Sequence, residues 1–85
     1  MTLEELVTKY IRGAERVIQE IGEIPADVHL NEEEAKTVFD WAKRYLEDAK
    51  HYQEKGKLET SLTSVAYCEG LLDALRLLGA VEFSW

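Results

Sequence analysis

Apolar residues recur at alternating steps of three and four along three long stretches of the chain. In the first, Leu3, Val7, Tyr10, Ala14, Val17 and Ile21 fall on one stripe of a helix, widened by Leu6 and Ile18. Thr2 followed three residues later by Glu5 has the spacing of a capping box, and Gly22 is a natural stop. In the second stretch the stripe is Ala35, Val38, Ala42, Tyr45, Ala49 and Tyr52, ending at Gly56. Asn31 stands at its start as N-cap with Glu34 three residues on, and Glu32 and Glu33 suit the positive helix end. That assigns the acidic run a capping task rather than metal binding. The third stretch runs from Leu58 to about Leu78, with Gly79 as its cap and Arg76 suiting the negative end. The pattern predicts an all-α, three-helix fold with helices at about 3–21, 31–56 and 58–79.

The connections constrain how these helices meet. "EKGKLE" is a short turn around Gly56, so the second and third helices are expected to form a long antiparallel, coiled-coil-like hairpin. Folding it there sets Tyr52 beside Ser61, Ala49 beside Val65, Tyr45 beside Cys68, Ala42 beside Leu72 and Val38 beside Leu75. Bulky residues then meet small ones layer by layer, which favours dense packing. In this register Cys68 is a small filler under a tyrosine. The longer linker "GEIPADVHLN" carries Ile24, Val28 and Leu30, expected along the end of the core, and Pro25 disfavours helix just before itself.

The third helix is apolar over two adjoining faces. Ala66, Gly70 and Ala74, four apart, form a row that would let another helix lie close. Tyr67, Leu71, Ala74 and Leu78 make a second strip. A mid-helix glycine costs about 1 kcal/mol of helix propensity, so close approach at Gly70 should return at least that. The third helix is therefore expected between the other two, with Phe39 and Leu46 completing the contact to the first. Glu69, Asp73 and Arg76 read as a solvated polar stripe. Leu62 and Leu77 are left on the back side without partners, as candidates with Ala66 and Gly70 for an intersubunit contact.

Composition narrows the function classes. Eighty-five residues allow a single domain, 1–85, whose small core would gain from an oligomer partner. The net charge of −7 opposes a phosphate backbone, so nucleic-acid binding is disfavoured. One cysteine cannot form an intrachain disulfide. The acidic opening "MTLEEL" lacks the apolar core of an export signal, and no apolar run approaches membrane-span length. A cytoplasmic location is the expectation.

Chemical motifs are sparse. His29 lies in the linker without a patterned companion. Asp48 and His51 have a ligand-like spacing, but a di-iron bundle needs a second acid–histidine pair and further carboxylates. Ser61 and Ser64, read as exposed, have no histidine nearby. No glycine-rich phosphate loop, CxxC pair or zinc pattern occurs. No cofactor and no metal are expected. Arg44 and His51 lie on one helix face and are similar to the motif of the HEPN ribonucleases, an arginine followed a few residues later by a histidine. That resemblance implies an alternative, an RNA-cleaving or nucleotide-related enzyme with Arg44 as phosphate clamp and His51 as acid/base.

The stretch "AKRYLEDAKHYQEKGKLETSLTSVAYCEGLLDALRLLG", Ala42 to Gly79, carries a broader likeness. Its features are Tyr45, Asp48 and Ala49 in the first arm, Tyr52 and Gly56 at the bend, Ala66-Tyr67 and "EGLLDA" in the second arm, and Gly79. It resembles a small archaeal family known as domain of unknown function 357, though Leu58 and Ser61 stand where an aromatic and an alanine are expected. The resemblance implies a helical hairpin with an added N-terminal helix, sometimes joined to nucleotidyltransferase-like domains, and no catalytic residues. The hairpin also looks like a single tetratricopeptide-type unit, which alone would need a partner to cover its flank. Together these readings lead to a non-catalytic protein-interaction or assembly module, with a protein partner or a homodimer and no membrane. An enzyme is the lesser expectation.

Overall fold

The computed structural model describes residues 1–26 and 31–85. Val28, His29 and Leu30 lie outside the described residues. Helices α1 (Leu3–Ile21), α2 (Glu32–Glu54) and α3 (Leu58–Leu77) account for the regular structure among the described residues, an all-α domain in which α2 and α3 pack most closely.

The helix ends follow from local chemistry. The Thr2 hydroxyl accepts from the Glu5 amide at 3.1 Å while the Glu5 carboxylate takes the Thr2 amide proton at 3.3 Å, the reciprocal pair of a capping box. The Asn31 Oδ1 accepts from the amides of Glu33 and Glu34 at 3.0 and 3.2 Å. α2 and α3 both end in a Schellman motif. Around Gly56 (φ 75°) the Gly56 and Lys57 amides donate to the carbonyls of Gln53 and Tyr52. Around Gly79 (φ 77°) the Gly79 and Ala80 amides donate to Arg76 and Leu75, and Ala80 is buried with Leu75 in the core. The helices therefore stop one or two residues short of the glycines, because the left-handed residue lies beyond the cap.

The bundle runs up, down, up, in a rod 41 Å long and 20 by 17 Å across. α1 is tied to α2 by a hydrogen bond from Gln53 to Thr8 at 2.7 Å and by Lys50, which reaches Glu15 at 3.3 Å and Glu47 at 3.6 Å. Burial alone would lower the Lys50 ammonium, but the hydrogen bond and charge of Glu15, with Glu47, carry it above its usual range. The core comprises Val7, Ile11, Ala14 and Val17 of α1, Ala35, Phe39, Ala42, Leu46 and Ala49 of α2, and Val65, Cys68, Leu72 and Leu75 of α3. Ile24, Ala80 and Val81 add buried surface from the chain beyond the helices.

The structure departs from the sequence pattern at three places. The bulky buried positions of α2 are Phe39 and Leu46, whereas Val38, Tyr45 and Tyr52 are half-buried. α2 faces α1 and α3 together, which centres its buried stripe one residue round, and a tyrosine at the border keeps its hydroxyl near water. Ile11, absent from the expected stripe of α1, is buried, while Leu3 at the helix start is exposed. Ser61 is fully buried rather than exposed, with its hydroxyl donating to the Ala49 carbonyl at 2.6 Å. A hydroxyl satisfied on the facing helix can be buried at little cost, so the hairpin closes tightly near its bend.

Candidate functional site

The largest correction concerns α3. Of its expected contact strip toward α1, Tyr67 is 60% and Leu78 62% exposed, while Leu71 is half-buried against the core; Leu77, expected without a partner in the chain, is 80% exposed. Ala66, Gly70 and Ala74 are exposed as well, and a Cβ added at Gly70 would meet nothing within 4 Å. Among the described residues, no close approach uses this glycine. α1 instead docks on the side where α3 presents Glu69 and Asp73. Lys9, Tyr10 and Gly13 of α1, Glu69 and Asp73 of α3, and Trp85 line a hollow of about 370 Å³ there. Having given its buried face to α2 and α1, α3 has its remaining apolar half turned to water.

That half is shaped. Ala66 and Gly70 form the floor of an open, almost wholly apolar groove of about 510 Å³, and Leu62, Thr63, Tyr67 and Leu71 form its sides. Leu62 and Leu71 are half-buried against the core. The face extends across the seam onto α2. The Tyr67 ring stacks on Tyr45, with centroids 5.3 Å apart and planes 20° apart, and Tyr45 meets Trp41 at 6.1 Å. Tyr45 is thus half-buried, packed against the core that holds Cys68 on one side and part of an aromatic run at the surface on the other. Trp41 is 47% exposed and carries the Arg44 guanidinium over its ring at 4.8 Å.

The remaining packing residues, Ala42, Ala49, Val65, Cys68 and Leu72, are all inaccessible to solvent. Burial, and next to it the charge of Glu69, pushes the Cys68 thiol up to about 12, so its nucleophilic thiolate is scarce at neutral pH. Burial and then Asp73 raise the Glu69 carboxyl above the ordinary range. The stripe Glu69, Asp73, Arg76 is only partly solvated. Asp73 accepts from Arg76 at 3.0 Å and from the Trp85 indole at 2.7 Å.

Arg44 and His51 are both exposed on α2, two turns or about 10 Å apart along its axis. Arg44 is engaged with Trp41, and His51 lies edge-on to Tyr52 at 5.4 Å. Neither lines the groove on α3. Among the described residues, no three His, Cys, Asp or Glu side chains gather as a metal site, and no helix is long and apolar enough to cross a membrane.

Sequence reasoning missed the segment after Gly79. Val81 is buried, Phe83 half-buried under Arg76, and the Phe83 and Trp85 rings meet edge to face at 5.1 Å. Arg16 donates to the carbonyls of Ser84 and Trp85 at 3.1 and 2.6 Å, which binds this segment across α1 and α3. The alternation of Val81, Phe83 and Trp85 was the available signal.

A family model described as "Protein of unknown function (DUF357)" matches residues 9–81. No curated protein and no solved structure matches the chain.

Proposed function

The chain belongs to the DUF357 family of proteins of unknown function, and we propose that it is a non-catalytic interaction or assembly module of the cytoplasm whose contact surface is the outer face of α3. The exposed apolar groove and its aromatic flank carry this reading. Tyr67 and, about 15 Å farther along α3, Leu77 and Leu78 are large apolar side chains left in water on the side of the helix turned away from the core. The floor is small, the sides are bulky, and the shape suits an entering helix.

A photo-crosslinking amino acid placed at position 67 tests this, with the same group at position 36 on the solvated side of α2 as control. In extract of the native cells, position 67 is expected to join the chain to a protein, either itself or another, and position 36 is not. Equal and diffuse labelling from both positions would contradict the proposal.

A further inference from the structure

We infer that the occupant of the α3 face is a second copy of this chain, bound by an antiparallel α3–α3 crossing centred on Gly70. This rests on the docking role proposed above and names its partner. The first ground is self-complementarity. Gly70 lies near the middle of α3 (Leu58–Leu77), so a two-fold axis beside it overlaps the helices from residue 62 to 78, about 25 Å at the helical rise. Helical periodicity then sets Gly70 against Gly70, Leu62 of one copy near Leu77 of the other, and Tyr67 over Ala74. Each bulky residue meets an apolar or small one. A floor lying toward either end of the helix would pair only a short overlap with itself.

The second ground is charge. At −7, two copies repel each other overall. Yet Leu62, Tyr67, Gly70, Ala74 and Leu77, which meet across the axis, carry none of that charge, and the acids at the border of the face, Glu69 and Asp73, are half-buried toward α1, with Asp73 paired to Arg76. The third is area. A strip about 25 Å long and a helix wide, broadened by Tyr45 and Trp41, buries on the order of 500 Å² per copy, about 1,000 Å² in total, which is the threshold for a specific interface. An interface of that size is expected to be weak and concentration-dependent rather than obligate. The glycine also gains a role that the single chain does not give it: two backbones can approach at Gly70 only without a Cβ between them.

Sedimentation equilibrium of the whole chain across a thousandfold concentration range tests the pairing. Twice the monomer mass is expected at high concentration, with a larger dimer fraction at high salt as the repulsion is screened. Gly70→Glu should leave the helical circular dichroism intact and remain monomeric. A Gly70→Cys variant in a Cys68→Ala background, at the axis, should oxidise to a disulfide-linked dimer, whereas Lys36→Cys in the same background should not. A wild type that stays monomeric throughout, or a dimer that Gly70→Glu does not disturb, would overturn the inference. If the chain is monomeric but position 67 still crosslinks to a different protein, the self-pairing falls and the docking role stands. If neither dimer nor crosslink forms, both fall.

Discussion

α1 and α3 are both rich in apolar residues, but they use them differently. α1 keeps its apolar side chains on one stripe, with Val7, Ile11, Ala14 and Val17 buried and charged residues such as Arg12, Arg16 and Glu20 outside. α3 carries apolar residues on two opposite sides, with Glu69, Asp73 and Arg76 along one border between them. Its inner side, Ser61, Val65, Cys68, Leu72 and Leu75, is buried, while Ala66, Tyr67, Gly70, Ala74, Leu77 and Leu78 are exposed. A helix of a small domain ordinarily needs only one apolar stripe, the one that faces the core. Two neighbouring helices cannot encircle a third. The stripe of α1 is thus explained by the single chain, and the second half of α3 is not.

The sharpest way to break this contrast is to compare truncations on the two sides of α3. Leu72→Ala should cost about 2–5 kcal/mol in urea denaturation, as a large side chain is removed from a closed core. Leu77→Ala should change the stability of the dilute monomer by no more than about 0.5 kcal/mol. Similar losses from both would mean that α3 is covered all round. Next in size, Ser61→Ala should cost about 1 kcal/mol through the lost buried hydrogen bond to Ala49, and Thr2→Ala about 1 kcal/mol through the lost cap of α1. Both are checked by the same denaturation.

The thiol separates inside from outside by reactivity. Cys68 should resist a thiol reagent at pH 8 in the folded chain and react on unfolding, because it is inaccessible and its ionisation is pushed to about 12. Rapid labelling of folded protein would place α3 wrongly about its axis. The smallest effect concerns Glu69. Its carboxyl is raised in the folded state, so the fold holds that proton more tightly than the unfolded chain does. The contribution of Glu69 to stability is therefore most favourable below the ordinary glutamate range and declines as pH rises from there through the raised folded value. Glu69→Gln should flatten that part of the stability–pH curve, measured by thermal unfolding across mildly acidic pH.

The elements were legible because their signals are local. Thr2 with Glu5, Asn31, Gly56 and Gly79 mark helix ends through chemistry within a few residues, and the hairpin follows from the short turn. Which way each helix turns was less legible. The seam of α2 falls on Phe39 and Leu46 because two partners share that face, and steps of three and four fit either choice of stripe. The docking side of α1 was hidden for a similar reason. Glu69 and Asp73 read as solvated, and only the contacts of Tyr10, Gly13 and Trp85 show that an acidic edge borders α1. The groove on α3 is visible in the sequence as the row Ala66, Gly70, Ala74, but the pattern offers it both to a neighbour inside the chain and, through Ala66 and Gly70, to a second copy. Small residues mark a close approach without saying whose.

Single cysteines at positions 66, 70 and 74, each introduced in a Cys68→Ala background and followed by thiol labelling across protein concentration, test the central claim most directly. The account predicts fast labelling in dilute solution and progressive protection as concentration rises, most strongly at position 70. Protection that is already complete in the dilute monomer would show that the face is covered from within the chain, and would contradict it.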